Sequence, residues 1–391
     1  MDVAFVARFR SADRVFTHVD ARGSSPVSAG DTLSLEIGYC KRVVDGRLQK
    51  LIPDASALPA TAALPETRAI PIGSHISVPI RLRDGSLYGT FCCFSFVPDR
   101  ALSERDLHTM HAIADVLADQ IDRELQVGRE QQRRRETIEQ AILRGDPRIV
   151  YQPIFDLQTG RVAALESLSR FDTTPARSPD RWFTEADALG LGPHLEGIAA
   201  RKALDRLHEL PSEVAIAVNL SPATFLNGSL ETLLCAHALS RVTIEITEHV
   251  SISDYAKLIA ELVPYRAAGL KFSVDDAGAG YASMSHILNL EPDSVKLDIS
   301  LTRGIDRDRK RRALAAALIA FAAEASLTII AEGVETAAEL AVLRQLGVHQ
   351  AQGYYLSRPA GLEQLSFDPL SFALDEEPPN SVPFARRAIG H

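Results

Sequence analysis

The residues in this chain that could do chemistry are carboxylates, and most of them close short apolar runs. Leu165 is followed by Glu166, Val218 by Asn219, Ile244 by Glu245, and Val274 by Asp275 and Asp276. Lys296 and Asp298 flank Leu297, Ala331 is followed by Glu332, and a last, weaker run carries Gln352. With Glu248 and Glu335 the set offers up to eight carboxylates near Lys296 and Arg170. Crowded like charges raise one another's pKa unless cations intervene. Hard divalent cations relieve the crowding, and Asp, Glu and Asn are ligand types that Mg²⁺ or Mn²⁺ takes. No pairing of Cys and His offers zinc a softer site. The set therefore favours a metal-dependent hydrolase acting on an anionic substrate. The adjacent Asp275 and Asp276 suit two ions, because one carboxylate can bridge while its neighbour holds the second.

Taken singly, any one of these residues reads better as an ordinary strand end or helix cap. Seven at equivalent positions require a scaffold that gathers them. From Ile149 onward, short apolar runs alternate with helical segments, the pattern of a β/α architecture with parallel strands. The runs are 149–154, 161–165, 214–218, 242–246, 270–274, 294–297, 327–331 and a weaker one at 349–353. Between them lie amphipathic stretches such as 253–268 and 309–325. Eight strands in this span predict an α/β fold, a (β/α)8 TIM-like barrel, in which strand C-termini converge on one face and build the active site there.

At 391 residues the chain is long for one domain and suits two. Residues 1–100 hold β-type runs at 3–7, 77–82 and 87–94, with a middle stretch punctuated by Pro53, Pro59, Pro65 and Pro71. After Ser103, the positions Leu107, Met110, Ala114, Leu117 and Ile121 make a helical stripe that could pack on its own domain or form a dimer seam. The expected division is a sensory or dimerisation domain over 1–125, a helical linker over 126–145 and the barrel over 146–370. A tail without periodicity, expected to be disordered, fills 371–391. The net charge of −9 argues against binding of a DNA or RNA duplex. The longest apolar stretch, 313–323, is about half of a bilayer span, and no signal peptide is legible. Four cysteines without CxxC spacing fit a reducing compartment, so a cytoplasmic protein is expected.

Over residues 137–368 the chain resembles the EAL domain, a cyclic di-GMP-specific phosphodiesterase with a β/α-barrel fold. The likeness rests on ordered motifs: Tyr151-Gln152-Pro153-Ile154, Glu166-Ser167-Leu168-Ser169-Arg170, Val218-Asn219-Leu220-Ser221 and Glu245-Ile246-Thr247-Glu248. It continues in Asp275-Asp276-Ala277-Gly278-Ala279-Gly280, Lys296-Leu297-Asp298, Ala331-Glu332-Gly333-Val334-Glu335-Thr336 and Gln352-Gly353-Tyr354. The resemblance implies that Glu166, Asn219, Glu245 and Asp275 hold a first divalent ion, Mg²⁺ or Mn²⁺. Asp275, Asp276 and Glu332 would hold a second. Lys296 would orient or deprotonate the attacking water, with Gln352 beside it, and Glu248 would anchor the loop that carries the two aspartates. Gln152, Leu168 and Arg170 would contact guanine and phosphate, and Asp298 and Glu335 complete the implied substrate set. The implied reaction opens cyclic di-GMP to linear pGpG. Ser167 stands where the family usually has alanine and Ala277 where it commonly has phenylalanine. The second change supplies an alternative, a catalytically weak or inactive receptor for the dinucleotide or a partner protein.

Residues 1–125 resemble a GAF domain in Gly38-Tyr39-Cys40, in the run 88–95 and in the helix start at Ser103. The resemblance implies an unknown small-molecule or redox signal and a homodimer. Alternation along the strand would point Cys92 and Cys93 to opposite faces, as one buried and one half-buried core thiol. His75, His108 and His111 read as structural residues. Paired carboxylates on a β/α barrel would also suit a glycosidase, for which Trp182 is the single tryptophan available to stack a sugar. No cyclase signature occurs, so synthesis of the dinucleotide is not expected.

Overall fold

Continuous apolar runs build the two central strands of an antiparallel sheet, β1 (Val3–Phe9) and β6 (Leu87–Ser95). The computed structural model describes residues 1–173, 175–226, 228–234, 237–247, 254–278 and 282–370. They fall into two units, Met1–Arg133 and Arg134–His391. In the first, β2 (Asp13–Ala21), β3 (Thr32–Ser34), β4 (Leu51–Ile52) and β5 (Ser74–Arg81) complete a six-stranded sheet of order β3-β2-β1-β6-β5-β4. Three short helices, α1 (Tyr39–Val44), α2 (Pro59–Ala62) and α3 (Pro65–Ala69), interrupt it. Proline opens α2 and α3, where its missing N–H costs nothing.

The two faces of that sheet hold separate cores. Phe5, Phe16, Tyr39, Cys40, Cys92 and Phe94 pack together on one. On the other, Met110, Ala114 and Ile121 of α4 (Glu104–Arg144) pack against Val6, Ile76, Val78, Ile80 and Cys93. The stripe that could have formed a dimer seam thus covers the sheet of its own unit. Cys92 and Cys93 do point to opposite faces, but both are buried, because helices cover both sides.

In the second unit, the eight runs read from the sequence become the eight strands of a closed barrel. They are β7 (Arg148–Asp156), β8 (Val162–Arg170), β9 (Ala215–Asn219), β10 (Val242–Thr247), β11 (Lys271–Ala277), β12 (Ser294–Leu297), β13 (Thr328–Ala331) and β14 (Gln350–Ala351). Helices α5 (Pro179–Ala188), α6 (Gly192–Leu204), α7 (Pro222–Leu226), α8 (Ser229–Leu234), α9 (Tyr255–Ala267), α10 (Ala282–Leu290), α11 (Ile299–Thr302), α12 (Arg309–Glu324) and α13 (Ala337–Gln345) follow strands β8 to β13. Valine, isoleucine and leucine on the strands bury against the helices, as Ile216, Val242, Ile244 and Phe272 do against Leu204, Leu258 and Leu262.

The all-parallel expectation fails at one strand. β7 runs antiparallel to both β8 and β14. A short turn at 157–161 joins β7 to β8, and so short a connection can only make an antiparallel hairpin. Two consequences reach the site. β8 continues four residues beyond Glu166, paired throughout with β7, so Glu166 is mid-strand and Leu168 and Arg170 follow it on the same face. Gln152 stands directly opposite Glu166.

Candidate active site

Parallel registry fixes the positions of the acids. Glu245 lies beside Asn219 of β9, and Thr247 beside Asp275 of β11. Lys296 enters from β12 and is fully buried. Its Nζ lies 2.7 Å from Glu332, 3.1 Å from Glu245, and 3.3 Å from both Glu166 and Asp275. Gln352 follows β14 and donates through Nε2 to Glu166 at 2.6 Å and to Glu332 at 3.0 Å. Six residues contributed by six strands or the positions just after them, spread over nearly 190 positions of sequence, therefore meet inside one barrel.

The electrostatics follow from burial. Glu245 is pushed up to about 8, first by desolvation and then by the charges of Glu166 and Asp275, against the pull of Lys296. Burial raises Glu332 well above the carboxylate range and raises Asp275 too, each helped by neighbouring acids. Burial would lower Lys296, but Asp275, Glu166, Glu245 and Glu332 outweigh it and carry the lysine well above its ordinary value. The surrounding carboxylates thus favour the ammonium form of Lys296.

The backbone sets the remaining pieces. Asp276 sits at φ 59°, a left-handed conformation that Asp tolerates better than most residues, and its N–H donates to Asp275 Oδ1 at 2.9 Å. That turn places two successive carboxylates at the end of β11. Asp275, Asp276, Glu166, Asn219 and Glu245 line one cleft of about 880 Å³ with Leu168 and Arg170. Ala277 is buried against Leu297 and Val334, and Gly278 has φ 105°. Glu248, Ala279 and Gly280 lie outside the described residues, as do Cys235 and residues 371–391.

Three members of the sequence-derived set point elsewhere. Gln152 is buried and donates to the Ser357 carbonyl at 3.1 Å. Asp298 caps α11 by accepting from Ser300 N at 2.9 Å, and Glu335 is exposed in an ion pair with Arg303. None of the three lines the cleft. The helix-capping reading available to any strand-end Asp is the one realised at Asp298. Conversely, Glu196, Asp187, Asp180 and Phe183 line the cleft and went unread in the sequence. Glu196 accepts from the N–H and hydroxyl of Ser221, both at 2.9 Å, and from Thr224 Oγ1. The available signal was helical spacing: Glu196 shares a face of α6 with Ala199, Ala200 and Ala203, an inward face where an acid is out of place.

The donor set fits a divalent cation. Glu166, Asp275 and Glu332 each offer an oxygen within 4.8 Å of the others. Glu245 Oε1 and Gln352 Oε1 are buried without a hydrogen-bond partner, an arrangement that is costly unless something else satisfies them. Four acids crowd one ammonium and are raised by burial and by one another, so a cation that favoured their ionised forms would relieve the crowding, and all-oxygen donors suit hard cations. The glycosidase alternative loses its platform: Trp182 is 1% exposed, stacked on Phe171 at 4.6 Å and covered by Arg177 at 4.8 Å.

A barrel with this acid-and-lysine centre defines a class, and comparison with known proteins agrees. The EAL domain family matches residues 135–359, so the chain belongs to the EAL domain family; the GAF domain matches residues 3–121. Among relatives, the chain is 32% identical over 257 residues to the cyclic di-GMP phosphodiesterase NbdA of Pseudomonas aeruginosa, a match covering 62% of this chain and 33% of that protein. The chain thus spans about a third of that curated relative. A solved structure described as PaMucR phosphodiesterase in complex with c-di-GMP aligns with TM-score 0.53 and 27% identity, over 59% of this chain and 99% of that one. An EAL domain protein from Listeria monocytogenes aligns with TM-score 0.52 and 27% identity, over 57% of this chain and 92% of the other. Among the described residues, no helix is long and apolar enough to cross a membrane.

Proposed function

We propose that the barrel hydrolyses cyclic di-GMP to linear pGpG with the help of two divalent cations, Mg²⁺ or Mn²⁺. The observation that carries this reading is the buried Lys296 ammonium within 3.3 Å of Glu166, Glu245, Asp275 and Glu332. Family membership and the activities named for NbdA and MucR support the choice of dinucleotide. Glu166, Asn219, Glu245 and Asp275 would hold one cation, and Asp275, Asp276 and Glu332 the other. Such cations, when bound, acidify a water and withdraw charge from phosphoryl oxygens. The chain's own groups do the rest. Arg170, on the cleft wall, can grip a phosphate through two N–H donors. Lys296 keeps its proton and directs N–H donors into the centre. Gln352 fixes Glu166 and Glu332 through its amide, holding both acids in one rotamer. Asp298 and Glu335 would act from outside the cleft, through α11 and the loop before α13. The cleft volume lies within the roughly 300–1,000 Å³ of small-molecule sites.

Control of this activity by the GAF unit and assembly as a homodimer belong to the same reading. Ile113, Val116 and Val127 are exposed on α4 and would supply a seam with a second copy; sedimentation of the full chain beside Val116→Glu tests the dimer. The activity is tested by incubating cyclic di-GMP with the full chain and Mn²⁺ and separating the products. Linear pGpG from the native chain, and none from Asp275→Asn, is the expected result. No pGpG from the native chain, or equal amounts from both, would overturn the reading.

A further inference from the structure

The core of the first unit contains a buried polar cluster that the proposed phosphodiesterase does not use. Cys40, on α1, and Cys92, on β6, are fully buried with Sγ atoms 3.5 Å apart. Arg14 of β2 is 1% exposed; its Nη1 donates to Cys40 Sγ at 2.6 Å and its Nη2 pairs with Glu66 of α3. Glu66 also accepts from Tyr39 N at 3.0 Å, so the same carboxylate holds the start of α1. Ser77 and Thr90 hydroxyls lie 3.1 and 3.2 Å from Cys92 Sγ. His75 of β5 lies tilted against Tyr39, ring centres 4.4 Å apart, and is held neutral, at about 3, by burial and by the charge of Arg14. Arg14 thus ties one of two touching sulfurs to the buried ion pair that holds the start of α1.

We propose that Cys40 and Cys92 are a reactive dithiol that hydrogen peroxide converts to a disulfide, making the core of the GAF unit a two-electron redox site. The sulfurs need to close by about 1.5 Å to reach bonding distance. The two thiols are chemically unequal. Burial raises Cys40, but the hydrogen bond with Cys92 and the Arg14 charge bring it down to about 7 against Glu66. Burial pushes Cys92 well above the thiol range, and the bond to Cys40 and its charge add to that. Cys40, the sulfur that Arg14 contacts, supplies the attacking thiolate in this proposal. Its sulfur takes one peroxide oxygen as the O–O bond breaks, giving a sulfenic acid and hydroxide, which a solvent proton converts to water. Sulfenylation removes the negative charge that kept Cys92 protonated, while Arg14 stays in place to favour its thiolate. Cys92 sulfur then attacks Cys40 sulfur, the S–OH bond breaks, and the Cys92 proton leaves with the hydroxyl as a second water. Two thiols lose two electrons and one peroxide becomes two waters. The disulfide leaves Arg14 Nη1 without its acceptor, so oxidation is felt at the ion pair that fixes α1.

The neighbouring Cys93 is an internal control. It lies on the other face of β6 against Met110, and burial pushes it up to about 11. The test treats the full chain with hydrogen peroxide, blocks free thiols, and maps peptides without reduction. A crosslink between the peptides of Cys40 and Cys92 is expected, with Cys93 alkylated. In Cys92→Ser, Cys40 should stop at a sulfenic acid that dimedone captures. The oxidation rate should rise about tenfold from pH 6 to pH 8 for a thiol near 7, against about ninetyfold for one at 9.0. Circular dichroism of Cys92→Ser guards against misfolding. Thiols that stay reduced in peroxide, a crosslink through Cys93 or Cys235, or a ninetyfold pH rise would each overturn the proposal.

Discussion

Replacing Lys296 with methionine removes the positive charge from the centre of Glu166, Glu245, Asp275 and Glu332 while keeping similar bulk. At an effective dielectric of about 20, each ionised partner near 3 Å contributes about 5 kcal/mol of attraction, opposed by desolvation of the ammonium and by protonation of the most crowded acids. Glu245 and Glu332 are already the readiest to protonate, so neutralisation absorbs part of the loss. What remains is the cost of breaking a buried ion pair from one side, about 3–5 kcal/mol. Urea unfolding followed by the fluorescence of Trp182 measures it, because that residue is the chain's single tryptophan and is buried in the barrel unit. In chelator, Lys296→Met should unfold at clearly lower urea than the native chain. Saturating Mn²⁺ should restore much of the difference, because a cation among the same carboxylates replaces the lost charge. A variant as stable as the native chain in chelator would refute the reasoning, since the acids would then be neutral without help. So would a destabilised variant that Mn²⁺ leaves unchanged.

Other expectations follow from the same geometry. Glu245 titrates near 8 in the fold against about 4.5 unfolded, so its contribution is full below pH 4.5 and is lost as pH rises towards 8. The metal-free protein should therefore lose stability across that window, a loss flattened by a divalent cation, as Trp182 fluorescence will report. Gln352→Leu removes the amide that ties Glu166 to Glu332, and should cost about 10–100-fold in metal affinity, measured by Mn²⁺ titration. Ser167→Ala deletes a hydrogen bond to the Ala217 carbonyl and should cost about 1 kcal/mol in stability with turnover nearly unchanged. Gly353→Ala would place a Cβ 2.2 Å from the Val334 backbone, so the barrel should melt several degrees lower.

The barrel was legible because its strands are buried on both sides and read as unbroken apolar runs, each interrupted by a polar residue where it reaches the centre. All eight runs became strands, down to the two-residue β14. The direction of β7 was not legible from the runs: period and composition are the same for parallel and antiparallel strands, and only the shortness of the turn before β8 tells them apart. That same pairing hid how far β8 extends, since Ser167 and Ser169 break its apolar character while Glu166 and Arg170 look like an ending. Lys296 and the acids around it were found because a charge following an apolar run stands out. Glu196 was not, because a glutamate inside a helix is ordinary until the helix face is known. In the first unit, β2 carries Asp13, Arg14, Thr17, His18 and Asp20, and its few apolar positions gave little alternation to read. The Cys40 and Cys92 pair could not be seen at all in sequence, where 52 positions separate them and Cys93 is the nearer candidate.

The most direct test of the account is turnover of cyclic di-GMP by the metal-stripped 391-residue chain as Mn²⁺ or Mg²⁺ is added back, with linear pGpG as the readout. The account predicts no product in excess chelator and saturable recovery with the cation, with Glu332→Gln and Asp275→Asn recovering little at any concentration. Undiminished pGpG formation in chelator would contradict it, because the carboxylates around Lys296 would then serve something other than cations.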